Sequence, residues 1–139
     1  MIVMATRKST TKRSRDCIFC QMIAGKLPVS VRYEDEDILA FDDINPHAPV
    51  HVLVIPKKHI AQLSDITKRD EKLMGQMVYR CKALAKELGI EQNGYRVTIN
   101  VGGWGGQIVP HLHFHLIGGA PLTERLGLYT EAIVAVSER

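Results

Sequence analysis

The chain has 139 residues, the length of one typical domain. Hydrophobic residues make up 45% of it and charged residues 24%, an ordinary globular balance that excludes disorder throughout. No apolar run approaches the roughly 20 residues that span a bilayer, so no membrane partner is expected. The three cysteines are too few, and odd in number, for a disulfide scaffold.

The formal net charge of +3 is concentrated at the N-terminus. Five basic residues precede the first acidic residue, Asp16: Arg7, Lys8, Lys12, Arg13 and Arg15. Subtracting these five charges from +3 leaves −2 on the rest of the chain, so no nucleic-acid partner is expected. Residues 1–15 lack the apolar region of a secretory signal. They are either a disordered arm or an organelle transit peptide, and the default location is the cytoplasm.

The predicted elements are short strands around one long helix. A helical turn is predicted over 17–24, and a long helix runs from the capping pattern of Thr67 and Asp70 to Gly89. Five segments have the β-branched or alternating pattern of strands: 31–34, 38–41, 50–55, 95–101 and 111–117. Because the strands follow one another with a single long helix, we expect an α+β fold with an antiparallel sheet.

The clearest chemical signal is the run of three histidines at alternate positions, His111, His113 and His115. In a strand all three side chains share one face, with neighbours about 7 Å apart and the outer pair about 13 Å apart at Cα. One ion is therefore not expected to bind all three. His113, in the middle, is placed to meet a substrate, although a strand histidine can also be a hydrogen-bonded bystander.

A glycine-rich loop precedes this run, at Gly102, Gly103, Gly105 and Gly106. Glycines allow successive backbone N–H groups to point at one anion, and Asn100 and Gln107 add side-chain donors nearby. Such a loop can also be a plain turn, and it lacks the Lys-Ser/Thr of a P-loop. Next to His113 it suggests nucleophilic attack on phosphorus, because neutral imidazole is a good nucleophile and a good leaving group.

The pair Cys17-x-x-Cys20 is open to three interpretations. It could be a redox motif, although no thioredoxin-like βα context surrounds it, or simply two buried apolar cysteines. With His59 and His111 it could instead complete a closed tetrahedral Zn²⁺ site of the structural kind.

Two acidic residues, Asp42 and Asp43, follow Phe41 at the end of the second predicted strand. We interpret Asp42 as a solvated turn residue. An acidic residue beside apolar ones is also what holds a ribose diol beneath a sandwiched base, and Asp43 is the candidate for that role.

Four motifs in order resemble those of the histidine-triad (HIT) family, nearest its Hint-type nucleoside phosphoramidases. They are Cys17-x-x-Cys20, Leu39-Ala40-Phe41-Asp42-Asp43-Ile44, Val54-Ile55-Pro56-Lys57-Lys58-His59, and Gly105-Gly106-Gln107 through His111-Leu112-His113-Phe114-His115. The resemblance covers 16–119, so we expect a basic tail (1–15), a HIT domain (16–119) and a C-terminal extension (120–139). It implies a five-stranded antiparallel sheet with one long and one short helix, dimerising into a continuous sheet.

The resemblance also implies an activity. The chain would cleave the P–N bond of purine nucleoside 5′-phosphoramidates through a nucleotidyl-histidine intermediate on His113, with His115 and His51 contacting phosphate and orienting the nucleophile. The implied nucleotide-binding residues are Ile18, Phe19, Phe41, Asp43, Ile44, Asn100, Gly106, Gln107, Ile108, His113 and His115. The implied ligands of a structural zinc are Cys17, Cys20, His59 and His111.

Two positions depart from the family pattern. Ile108 stands where a serine usually contacts the phosphate or the leaving group, and Pro110 replaces the usual aromatic residue before the first triad histidine. These departures put the rate and the choice of leaving group in question. Two other functions stay open: a dinucleoside polyphosphate hydrolase, and a nucleotide-sensing scaffold with vestigial activity.

Overall fold

A computed structural model describes residues 16–124 of the chain. The basic tail predicted over 1–15, and the part of the predicted C-terminal extension after 124, lie outside the described residues. None of the helices within 16–124 has the length and apolar character needed to cross a membrane.

The described residues form one five-stranded sheet in the order β1-β2-β3-β5-β4, with every neighbouring pair antiparallel. The strands are β1 (Val31–Glu34), β2 (Ile38–Asp42), β3 (Val50–Pro56), β4 (Tyr95–Thr98) and β5 (Phe114–Gly118). The predicted antiparallel α+β fold is therefore confirmed.

Within 16–124, two α-helices accompany the sheet: the short α1 (Ile18–Ile23) and the long α2 (Glu71–Glu87). The predicted capping pattern begins a 3-10 turn, Lys68–Asp70, that leads directly into α2. There the Thr67 hydroxyl accepts a hydrogen bond from the Arg69 N–H, while the Asp70 carboxylate accepts one from the Thr67 N–H, a reciprocal capping box.

The central strand β3 is covered on both faces, as the run 50–55 predicts. Val52 and Val54 pack on the side of α2, while Leu53 and Ile55 pack on the side of α1. Because side chains alternate along a strand, His51 lies on the α1 face with Leu53. This alternation places one histidine of the candidate site next to an apolar pocket.

Two strand boundaries differ from the prediction by more than one residue. β4 ends at Thr98 rather than at 101, and β5 begins at Phe114 rather than at 111. Pro110 has no N–H to give to a ladder, and the Leu112 N–H donates instead to the Ile60 carbonyl outside the sheet. The first two triad histidines therefore lie before the strand, not in it.

Candidate functional site

A cavity of about 920 Å³ opens on the α1 face of the sheet. Part of its wall is apolar and contains Phe19, Phe41 and Leu53, which are buried. Among the predicted nucleotide-binding residues, all but Gln107 line it: Ile18, Phe19, Phe41, Asp43, Ile44, Asn100, Gly106, Ile108, His113 and His115. Residues from α1, β2, the glycine loop and β5 thus meet around one space.

The ring of His113 is held in one orientation by the backbone. Its Nδ1 lies 2.7 Å from the carbonyl oxygen of His111, and a carbonyl can only accept, so Nδ1 carries the proton. The other nitrogen, Nε2, therefore keeps its lone pair. Phe19 packs edge-on against the ring with centroids 5.4 Å apart. Burial lowers the pKa of His113, which keeps the imidazole neutral.

A chain of three hydrogen-bonding groups fixes the tautomer of His115. The backbone N–H of His47 donates to Nδ1 of His51 at 3.0 Å, so the proton of neutral His51 is on Nε2. That Nε2 lies 2.9 Å from Nδ1 of His115, which must then accept. His115 consequently carries its proton on Nε2. Its pKa is lowered to about 4, chiefly by burial and then by the neighbouring His113.

Asp43 lies beside the hydrogen-bonded series formed by His47, His51 and His115. Its Oδ2 is 3.3 Å from Nε2 of His51, and its Oδ1 accepts from the Asn45 N–H at 2.9 Å. The reactive atoms of Asp43, His51 and His115 lie close enough together to suggest a metal site. A cation on Nε2 of His51 would, however, move that proton to Nδ1, where it would face the N–H of His47. The three residues are better suited to a hydrogen-bonded relay.

The glycine loop is shaped by close backbone contacts. A Cβ at Gly105 would lie 2.3 Å from the Val101 carbonyl oxygen, and Gly106 has a φ of +85°, so both positions require glycine. The side-chain amide of Asn100 donates to the Gly105 carbonyl at 2.8 Å. This packing brings the backbone of Gly106 to the cavity wall.

Gln107, in contrast, turns its side chain into the loop. Its Oε1 accepts from the Gly102 N–H, and its Nε2 donates to the carbonyls of Ala61 and Val109. The amide is thus engaged in holding the loop and does not line the cavity. The next residue, Ile108, lines the cavity although 90% of its surface is exposed.

The four predicted zinc ligands form a second cluster, which shares His111 with the histidine triad. Sγ of Cys17 is 3.3 Å from Nδ1 of His111, and Sγ of Cys20 is 3.2 Å from Nδ1 of His59 and 3.6 Å from that of His111. Tetrahedral zinc with typical Zn–S and Zn–N bonds separates a sulfur and a nitrogen ligand by about 3.5 Å. The cluster therefore fits a zinc ion.

The protonation of this cluster also suits a cation. His111 is fully buried, and its Nε2 donates to the Pro56 carbonyl at 2.9 Å, which leaves the Nδ1 lone pair facing the sulfurs. The pKa of Cys17 is lowered to about 3, first by the hydrogen bond with Cys20. A thiolate and a neutral imidazole are the forms that bind zinc.

Leu53 and His47 are among the cavity residues that the sequence analysis did not name. Leu53 belongs to the apolar wall, and the β3 alternation that starts from His51 would have pointed to it. His47 contributes a backbone N–H, and no side-chain pattern announces a backbone donor.

Comparison with known proteins assigns the family. The HIT domain family model matches residues 24–122. The chain belongs to the HIT family. An uncharacterised HIT-like protein of Synechocystis is 46% identical over 110 residues, which cover 79% of this chain and 96% of that protein.

Solved structures agree with this assignment. A HIT family hydrolase from Legionella pneumophila is 46% identical with a TM-score of 0.79, covering 81% of this chain and all of that one. A histidine triad nucleotide-binding protein from Candida albicans is 31% identical with a TM-score of 0.68, covering 88% and 93%. A zinc-bound histidine triad protein from Mycobacterium smegmatis is 30% identical with a TM-score of 0.68, covering 90% and 98%.

Proposed function

We propose that this HIT protein is a hydrolase that cleaves the P–N bond of purine nucleoside 5′-phosphoramidates. The observation that carries the proposal is the imidazole of His113, whose Nδ1 proton is committed to the His111 carbonyl and whose Nε2 is free to attack. Two solved relatives support the hydrolase and nucleotide-binding parts of the proposal: the HIT family hydrolase from Legionella pneumophila and the histidine triad nucleotide-binding protein from Candida albicans.

The cavity supplies complementary surfaces for a nucleotide. A purine fits between apolar side chains such as Phe19 and Phe41, and Asp43 at the edge of that wall offers a carboxylate to the ribose hydroxyls. The phosphate would then lie by the Gly106 backbone, with the Nε2–H of His115 available to a phosphoryl oxygen. This arrangement directs the phosphorus toward His113.

The reaction follows in two balanced steps. Nε2 of His113 attacks phosphorus, the Nε2–P bond forms, and the P–N bond breaks as the amine leaves with a proton from solvent. Water then attacks phosphorus, the Nε2–P bond breaks, and one proton returns to solvent as the nucleoside monophosphate is released. His115 contacts the phosphoryl oxygen through its Nε2–H, and His51 orients the ring of His115.

We infer that zinc binds to Cys17, Cys20, His59 and His111, as its S₂N₂ donor set and spacing suggest. When bound, zinc supplies a structural cross-link between α1 and the segment before β5, and no chemical step. The carbonyl of His111 also accepts a hydrogen bond from the Nδ1–H of His113, so His111 would bind the metal through its ring and orient the nucleophile through its backbone.

A homodimer is part of the same proposal. β4 is an edge strand of the sheet, and three large apolar side chains on it and on α2 are exposed: Val78, Tyr79 and Val97. Pairing β4 with a second copy would extend the sheet and cover these side chains. Sedimentation at micromolar concentration tests this, and a monomer there would contradict it.

The test of the activity compares the wild type with His113→Asn on adenosine 5′-phosphoramidate. We expect hydrolysis by the wild type alone, with AMP binding retained by both proteins. Turnover of diadenosine polyphosphates without turnover of the phosphoramidate would favour the polyphosphate hydrolase. AMP binding by both proteins without any turnover would favour a nucleotide-sensing scaffold.

A further inference from the structure

Two large apolar side chains, Trp104 and Ile108, are exposed on the glycine loop, and Ile108 also lines the cavity that contains His113. Trp104 is fully exposed, and Ile108 has 90% of its surface exposed. We refer to these two residues as the apolar shelf. Burying apolar surface of this size is favourable, so its exposure beside a substrate cavity suggests a ligand that covers it.

The loop holds this shelf in a defined position. Within the loop, the N–H groups of Gly105 and Gln107 both donate to the Gly102 carbonyl. The Gln107 side chain also donates a hydrogen bond to the carbonyl of Ala61, which is distant in the sequence. A loop whose backbone is already fixed loses little backbone entropy when a ligand packs on it.

The position of the shelf relative to the cavity indicates which part of a substrate would reach it. Phe19 and Phe41, the part of the wall that suits the purine, are buried, whereas Ile108 lines the same cavity and is exposed, so Ile108 lies at its mouth. A nucleotide with its base inside and its phosphorus at His113 would direct the group beyond phosphorus outward. That group is the leaving amine.

The chemistry of the loop narrows the class of amine. Residues 101–110 contain no ionisable side chain, so nothing on this segment pairs with a cationic substituent. We propose that the apolar shelf selects leaving amines that carry an aromatic or apolar substituent. The inference rests on the proposed phosphoramidase function and names the substrate class of that site.

The kinetic test uses two adenosine 5′-phosphoramidates, one N-substituted with 2-phenylethyl and the other with 5-aminopentyl. We expect the wild type to have a kcat/KM about tenfold higher for the phenylethyl substrate, the usual discrimination of a hydrophobic contact. Ile108→Ser and Trp104→Ala should each reduce that ratio about three- to tenfold. Trp104→Ala, which changes no residue lining the cavity, should still hydrolyse unsubstituted adenosine 5′-phosphoramidate. Equal kcat/KM values for the two amines in the wild type would overturn the proposal.

A binding test separates the shelf from the reaction. Trp104 is the only tryptophan of the chain, so its fluorescence reports on the shelf directly. The ligands are 5′-O-sulfamoyladenosines, which are not cleaved, with and without an N-(2-phenylethyl) group. We expect the Trp104 emission to change with the substituted ligand alone, and the change to weaken in Ile108→Ser.

The outcomes distinguish the two proposals. If no phosphoramidate is hydrolysed but the substituted ligand alone shifts Trp104, the proposed reaction fails and the shelf stands. If the phosphoramidates are hydrolysed without preference and Trp104 does not respond, the shelf fails and the reaction stands. Emission that follows protein concentration and ignores both ligands would assign Trp104 to a contact between copies, and overturns the inference.

Discussion

His111 contacts two functional clusters, one through its ring and the other through its backbone carbonyl. Its Nδ1 faces the thiols of Cys17 and Cys20, while its carbonyl oxygen lies 2.7 Å from Nδ1 of His113. Any displacement of the His111 ring would therefore move the group that sets the tautomer of His113. The metal cluster and the nucleophile are coupled by this short path.

The first prediction concerns that coupling. Cys17→Ser should reduce bound zinc from one per chain to none and lower the free energy of unfolding. Loss of a metal present at 1,000 times its dissociation constant costs about 4 kcal/mol. It should also lower kcat, because the metal would no longer hold the His111 ring and the carbonyl that orients His113 would shift. Metal analysis and urea unfolding measure the first two effects.

Cys81→Ala is the matched control for this experiment. Cys81 is buried in the other core, and burial raises the pKa of its thiol to about 12, so it is unsuited to bind a metal. The variant should keep its zinc and lose about 1 kcal/mol, the cost of a small cavity. Full zinc content in Cys17→Ser would refute the proposed ligand set.

The second prediction concerns the tautomer of His115. His51→Phe removes the donor that faces Nδ1 of His115, so the proton of His115 should distribute over both ring nitrogens. We expect kcat to fall about 10- to 100-fold, the usual cost of losing an orienting partner. Imidazole ¹⁵N chemical shifts report the tautomer directly. A single Nε2–H tautomer of His115 in the variant would contradict the relay.

The third prediction concerns acid stability. The pKa of His115 is about 4 in the folded protein and about 6.5 in the unfolded chain, so the unfolded state binds this proton more tightly. The contribution of the neutral His115 ring to the free energy of unfolding is complete above pH 6.5. It is lost as the pH falls toward 4. Allowing for solvent screening of a partly exposed ring, the loss is about 1–2 kcal/mol.

Comparison with His115→Gln isolates this contribution from other groups that take up protons. Urea unfolding at intervals between pH 7 and pH 4.5 should show the wild type losing stability faster than the variant. Parallel curves would mean that His115 does not titrate with a depressed pKa.

The fourth prediction concerns the glycine loop. Gly105→Ala forces the Val101 carbonyl to move, because the added Cβ would lie 2.3 Å from its oxygen. We expect a loss of about 1–3 kcal/mol in stability, together with weaker AMP binding as the Gly106 backbone shifts. Gly103→Ala is the control, since its added Cβ meets nothing within 4 Å. It should change stability by less than about 0.5 kcal/mol.

Most of the helices and strands, and the list of reactive side chains, can be predicted from local sequence patterns. Apolar periodicity gave α2, and the β-branched run identified the central strand, because burial on two faces leaves a pattern that local residues reveal. Leu112, Phe114 and Leu116, which alternate with the histidines, lie together in one core. The Cys and His spacing suggested a zinc set, and the four side chains form a cluster that fits it.

The orientation of these side chains depends on contacts between distant parts of the chain. A strand pattern placed His111, His113 and His115 on one face, whereas β5 begins after the first two. The tautomers depend on partners far away in the chain, such as His51 for His115 and Pro56 for His111. The N–H of His47 and the inward turn of Gln107 likewise leave no local signal. Hydrogen bonds formed across long sequence separations set proton positions, and a single sequence contains the donors and acceptors but not their pairing.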